Sequence, residues 1–162
     1  MKVTIKAGLS HKLPQIIADV QKDSLKVGWG ENQKYEDGTA VAGIAAVQEF
    51  GNPMRNIPPR PFMRPTVSEK SLQWQELIAK GMKLVFNDKK STSAVFEAVG
   101  LKVAGDIRAS ISKVSAPALK TATVKARLRG KKQGKSVSLT AAKPLVDTGL
   151  MLNSLTSEVS AK

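Results

Sequence analysis

The chain contains no cysteine. Disulfides, thiolate metal sites and thiol nucleophiles are therefore excluded. One histidine, His11, rules out a His/Cys zinc site and argues against a Ser-His-Asp triad. Aromatic residues make up only 4% of the chain, and none lies between residues 113 and 146. That segment offers no stacking platform for single-stranded nucleic acid. No apolar run approaches the roughly 18 residues of a membrane span. The N-terminal Met-Lys-Val-Thr-Ile-Lys alternates charge with β-branched residues and lacks the apolar core of a signal peptide. These features predict a protein used in a cytoplasm, or in a particle assembled there.

Acidic residues are also scarce. Lys and Arg number 26 against 13 Asp and Glu, a net charge of +13. This suggests a polyanion or an acidic protein surface nearby. The 162 residues, 41% hydrophobic, are enough for one domain with a real core.

Alternation of Val3 and Ile5 with polar residues predicts a strand near 2–7. Ser10 can cap a helix near 11–21, with Leu13, Ile16, Ile17 and Val20 at helical spacing and Pro14 in the first turn. Leu25, Val27 and Trp29 predict a strand near 24–30, and Asp37-Gly38 signals a turn. Val41, Ile44 and Val47 have helical spacing, but Gly43, Gly51 and the strand before them favour a strand near 40–49 or a strand-to-helix transition. Thr66 or Ser68 can cap a helix running to 86, along which Trp74, Leu77, Ile78, Gly81, Met82 and Val85 recur at helical spacing. Phe96, Val99, Val103, Ile107 and Ile111 mark another over 91–112. A last strand is expected near 153–160. The expected fold is α+β: one domain over 1–162, with a small, mostly antiparallel sheet packed by two long helices.

Two segments stand apart in composition. Residues 51–65 hold Pro53, Pro58, Pro59, Pro61 and Pro65, interleaved with Arg55, Arg60 and Arg64, which predicts a stiff extended loop. Residues 113–146 carry nine basic residues and no acid, +9 of the total +13. The run with Lys125, Arg127, Arg129, Lys131, Lys132 and Lys135 lacks an apolar period. It reads as an exposed mobile loop, placed against DNA phosphates or an acidic partner.

Leu145-Val146-Asp147-Thr148-Gly149 imitates the aspartic-protease fingerprint. The imitation fails, because Leu150 follows where those proteases carry a small residue and too few residues remain for their strands. Asp147, Thr148 and Gly149 read instead as a structural turn or cap. Gly28-Trp29-Gly30 lacks the rest of a phosphate loop. Glu31 and Glu36, in one polar loop, read as solvated. Glu69, Glu76, Glu97 and Asp106 sit on helix faces among lysines. No catalytic, metal or cofactor constellation remains.

Val47-Gln48-Glu49-Phe50-Gly51, followed by Asn56-Ile57-Pro58-Pro59-Arg60-Pro61-Phe62-Met63-Arg64-Pro65, resembles a pattern of neck and minor tail proteins of tailed bacteriophages. This is the virion-morphogenesis or tail-completion group. Lys143-Pro144-Leu145-Val146-Asp147-Thr148-Gly149, continuing through Leu150-Met151-Leu152-Asn153-Ser154-Leu155, resembles that group's closing motif. Pro117-Ala118-Leu119-Lys120 and Thr123-Val124-Lys125 resemble its linker. The order and spacing agree from about residue 25 to 160. The resemblance implies a non-enzymatic structural protein of the virion neck or tail, assembled in the host cytoplasm. It implies a homo-oligomeric ring, commonly sixfold, around the DNA channel, meeting the connector or the tail tube and its terminator, with no cofactor and no membrane. Arg55, Arg60, Phe62 and Arg64 are the expected assembly residues, Phe62 with an inward ring and the arginines outward. The alternative is a sequence-independent nucleic-acid-binding module.

Overall fold

The computed structural model describes residues 12–87, 89–132, 144–146 and 149–161. The predicted strand near 2–7, His11, Lys135, Asp147 and Thr148 lie outside the described residues. Among those described, the helices are α1 (Leu13–Lys22), α2 (Val41–Phe50), α3 (Met63–Phe86), α4 (Thr92–Lys113), α5 (Thr121–Lys132) and α6 (Leu150–Asn153). The strands β1 (Asp23–Gly28) and β2 (Thr156–Ala161) pair in a two-stranded antiparallel sheet. The fold is α+β, with that sheet packed against the two long helices α3 and α4.

Three local expectations are corrected. Lys12, not Ser10, is the cap residue of α1, and its side chain makes no capping bond. Residues 41–50 form helix α2, not a strand. Val41, Ala45 and Glu49 are buried at intervals of four, which is a helical period. Three alanines support the helix, and Gly51 ends it at φ 78° rather than breaking a strand. Residues 121–132, read as loop, form α5. Ala, Leu, Lys and Arg are strong helix formers, and its cations concentrate toward the C-terminal end, where the helix dipole favours them.

The chain forms two compact units. The first comprises residues 1–27, 70–103 and 157–162. Its core joins Ile16 of α1 to Val85 of α3 and to Val95 and Val99 of α4. Leu25, Ile78, Met82, Phe86 and Val103 pack against them. Ser24 Oγ of β1 meets Ser160 of β2, at 3.2 Å from its carbonyl oxygen. Gly100 lets α4 lie on the strands, since a Cβ there would stand 2.7 Å from Leu25 Cδ1 and 2.8 Å from Ser157 Cβ.

Gly81 plays the same part between α3 and α4, where an added Cβ would collide with Val95 Cγ1. Gly81→Ala gains up to about 1 kcal/mol of helix propensity. Overpacking costs about 1–3 kcal/mol, so the net expectation is destabilisation. Urea unfolding checks this, and Val95→Ala in the same chain should recover part of the loss.

The second unit comprises residues 28–69 and 104–156. Phe62, Ile111, Leu155 and Val41 are its largest fully buried side chains. Trp29 meets Phe62 edge-on at 6.0 Å, and its Nε1–H donates to the Met151 carbonyl at 2.8 Å. Arg108 donates from Nε to the Leu152 carbonyl at 3.3 Å and from Nη2 to that of Leu155. These bonds tie α4 to the turn after α6.

Candidate functional site

Glu49 is the centre of the second unit's polar structure. It lies in the last turn of α2 and is only 5% exposed. A helix start leaves backbone N–H groups without partners. At the start of α3, Glu49 supplies those partners. Its Oε2 accepts from the N–H groups of Phe62 at 2.8 Å and Met63 at 2.9 Å. Its Oε1 accepts from the N–H of Arg64 at 3.1 Å and from Arg64 Nε at 2.9 Å. Pro65, next in line, has no N–H to satisfy. The expected local cap, Thr66 or Ser68, is therefore replaced by a carboxylate from α2. Thr66 Oγ1 instead donates back to the Phe62 carbonyl at 2.6 Å, where Ser110 Oγ also donates at 3.0 Å.

Burial pushes the Glu49 carboxyl up. The N–H groups of Met63 and Phe62, with the Arg64 side chain and N–H, pull it further down, so it lies below its ordinary value of 4.5. A carboxyl depressed on folding contributes stability that is present above the unfolded value and lost as pH falls through the folded one. Unfolding free energy should therefore decline as pH drops below 4.5. Urea titrations of the unaltered chain and of Glu49→Gln check this: the variant should lack that part of the acid sensitivity.

Arg60 is 4% exposed, contrary to the expected outward position. Its Nε donates to the Pro117 carbonyl at 2.8 Å. Nη1 donates to Gln48 Oε1 at 3.2 Å and Nη2 to the Ala118 carbonyl at 3.4 Å. Its N–H donates to the Gln48 carbonyl at 2.7 Å. Burial first, then the charge of Arg127, lowers its pKa. Arg60 thus clamps the proline loop between α2 and the segment after α4. Phe62 is 1% exposed, with its ring inward as expected.

Of the three arginines in the proline loop, Arg55 and Arg64 are at the surface. Arg64 Nη2 donates to the Glu49 carbonyl at 3.2 Å, and its guanidinium lies 4.7 Å from the centre of the Phe50 ring. Phe50 itself is 63% exposed and Met54 98%. Asn52 and Ile57 exchange backbone bonds of 2.8 and 2.9 Å across the intervening turn. Asn52 Oδ1 accepts from the Arg55 N–H at 3.1 Å, and Asn56 turns the chain at φ 54°. Gly51 is required beside it, because a Cβ there would stand 2.9 Å from Pro59 N. The result is a braced tip that presents Met54 and Arg55, flanked by Phe50 and Arg64.

The closing motif comes to the same unit. Pro144 and Leu145 are buried, Gly149 precedes α6 at φ 78°, and α6 packs on α2. A cleft of about 300 Å³ opens here, bordered by Tyr35 and Asp37, by Gln48, and by Arg127 with Leu145 and Met151. Arg127 Nη2 donates to the Pro144 carbonyl at 3.3 Å. Asp37 Oδ1 accepts from the Thr39 N–H at 2.9 Å, and that bond, followed by the Thr39 hydroxyl, lowers its pKa. On α5, Lys125 and Arg129 are exposed while Arg127 is half-buried; Lys131 and Lys132 lie in its last turn.

Sequence reasoning missed Glu49, Phe50 and Met54. A signal for Glu49 exists: it falls in the buried phase of α2, where a carboxylate needs donors. Among the described residues, no group of three His, Cys, Asp or Glu side chains could hold a metal. No described helix is long and apolar enough to cross a membrane. Comparison with protein-family models, curated proteins and solved structures gives no match to this chain.

Proposed function

We propose that the chain is a non-enzymatic structural protein of a tailed bacteriophage or prophage, which completes the tail or joins head to tail as a ring around the DNA channel. Both stretches that resemble the neck and minor tail proteins come together in one compact unit. The observation that carries the reading is the braced tip, where Met54 is 98% exposed beside Phe50 and Arg55. Large exposed apolar residues next to arginine are characteristic of protein interfaces. The tip is held by Glu49, Arg60 and Asn52, so docking it freezes little chain, which favours binding. In this reading the buried Arg60 and Phe62 are positioning residues, while Arg55 and Arg64 meet the partner, a connector or a tail-tube or terminator protein.

A sequence-independent nucleic-acid contact is the second reading. It is favoured by α5, which has no acid and exposes Lys125 and Arg129. A positive helix facing a channel attracts phosphates without reading bases. DNA affinity that falls steeply with salt in the isolated chain, with no effect of its loss on particles, would favour this reading over the first.

Electron microscopy of particles made without the protein tests the assembly role. Heads lacking tails beside separate finished tails, or particles with incomplete tails, are expected. Normal particles would refute it.

A further inference from the structure

The chain has five methionines and no cysteine, so thioether sulfur is the softest nucleophile it offers an oxidant. Met1 lies outside the described residues. The others differ in access. Met54 is 98% exposed, whereas Met151 is 4% exposed. Met63 and Met82 are half-buried, Met82 against the core of the first unit.

The Met54 side chain does not brace the turn that carries it. That turn is closed by the backbone bonds between Asn52 and Ile57 and by Asn52 Oδ1, which accepts from the Arg55 N–H. Gly51 at φ 78° and Asn56 at φ 54° set its entry and exit. The surroundings are cationic. Residues 50–65 hold Arg55, Arg60 and Arg64 and no acid, and Arg55 and Arg64 are exposed. Such a field draws in anionic oxidants such as hypochlorite and leaves neutral peroxide unhindered.

We infer that Met54 is an oxidation switch: a peroxide or hypohalous oxidant converts its thioether to a sulfoxide and so disables the tip. With hydrogen peroxide, the sulfur attacks one peroxide oxygen. The O–O bond breaks, an S–O bond forms, and the second oxygen leaves as water with both peroxide protons. Sulfur loses two electrons and the peroxide gains them. The product is polar and chiral where a flexible apolar group stood. An apolar pocket on a partner would have to bury the new oxygen without a donor, which is costly. Other residues hold the turn, so the fold survives and only docking is lost. Oxidation acts on the free chain, and a docked Met54 is covered. Methionine sulfoxide reductases reverse the step. The loss of docking rests on the reading of the tip as an interface, whereas the oxidation rests on exposure alone.

The test treats the full chain with limiting hydrogen peroxide and weighs its tryptic peptides. Met54 should be oxidised about tenfold or more faster than Met151, and ahead of Met63 and Met82. Chain oxidised at Met54 should unfold at an unchanged urea midpoint. An equal rate at any of the other three, or a lower midpoint, overturns the inference. Docking is read by adding purified chain to extracts of cells that make particles lacking it and counting infectious particles. Untreated chain should restore infectivity, as should Met54→Leu, which is apolar and has no sulfur. Peroxide-treated chain should not, while treated Met54→Leu should, and methionine sulfoxide reductases should return the treated chain to activity. Treated chain as active as untreated overturns the switch and keeps the phage reading. Untreated chain that restores nothing removes the phage reading and the loss of docking with it, and the peptide and urea readouts then decide the oxidation site alone.

Discussion

Glu49→Ala should lower stability by about 3 kcal/mol. The substitution removes the acceptor for three backbone N–H groups at the start of α3. Those donors are then left in a site where the lost side chain was 5% exposed. A cap substitution alone costs about 0.5–2 kcal/mol, and stranded buried donors add about 1–3 kcal/mol each where water cannot reach them. Near a melting midpoint this is a fall of about 6–12 °C for a chain of this size. Arg64→Ala separates the cap from the ion pair. The Arg64 side chain is 61% exposed, so its loss should cost only about 0–1 kcal/mol. Comparable losses from the two variants would mean that the ion pair, rather than the backbone cap, holds the loop. Differential scanning fluorimetry of both variants decides it.

Phe62→Ala should be still more damaging, at about 3–5 kcal/mol. The ring is 1% exposed and meets Trp29 edge-on. Its removal leaves a cavity beside Trp29, whose N–H holds the Met151 carbonyl. The closing motif should loosen along with the loop. Phe62→Leu, which keeps most of the volume, should cost much less. This series separates the two roles an aromatic in the proline loop can have. An interface anchor lost to alanine would leave the free protein as stable as before and impair only assembly. Urea unfolding of the isolated chain measures the difference directly.

The long helices were legible because their apolar residues, Trp74 to Val85 and Phe96 to Ile111, recur with the helical period over about three and four turns. Even there, period alone could not divide the stripe on α3. Ile78, Met82 and Val85 go to the core, whereas Leu77, Gly81 and Leu84 line a groove beside α4. The α2 segment misleads because Gly43 and Gly51 count as breakers, although Val41, Ile44 and Val47 recur at helical spacing. Gly51 is in fact the stop signal of a helix. The basic segment misled for a different reason. Charge without apolar period suggested loop, yet α5 is built from strong helix formers and buries little beyond Val124 and Arg127. The burial of Arg60 was not legible at all. Its acceptors are the carbonyls of Pro117 and Ala118 and the side chain of Gln48, and nothing local in sequence announces a tertiary partner of that kind. The motif residues were recognised as a group, but the pattern could not say which brace the loop and which face out. The structure divides them: Glu49, Arg60 and Phe62 inside, Phe50, Met54 and Arg55 outside.

The central claim is that this chain is a built-in part of a phage particle. Peptide mass spectrometry of purified, nuclease-treated particles from the phage or prophage that encodes it tests this most directly, with cryo-electron microscopy of the same particles to place the chain. The account predicts a few copies per particle, in the ratio of one ring, at the neck or the tail end. Finished, infectious particles that contain none of it would contradict the account.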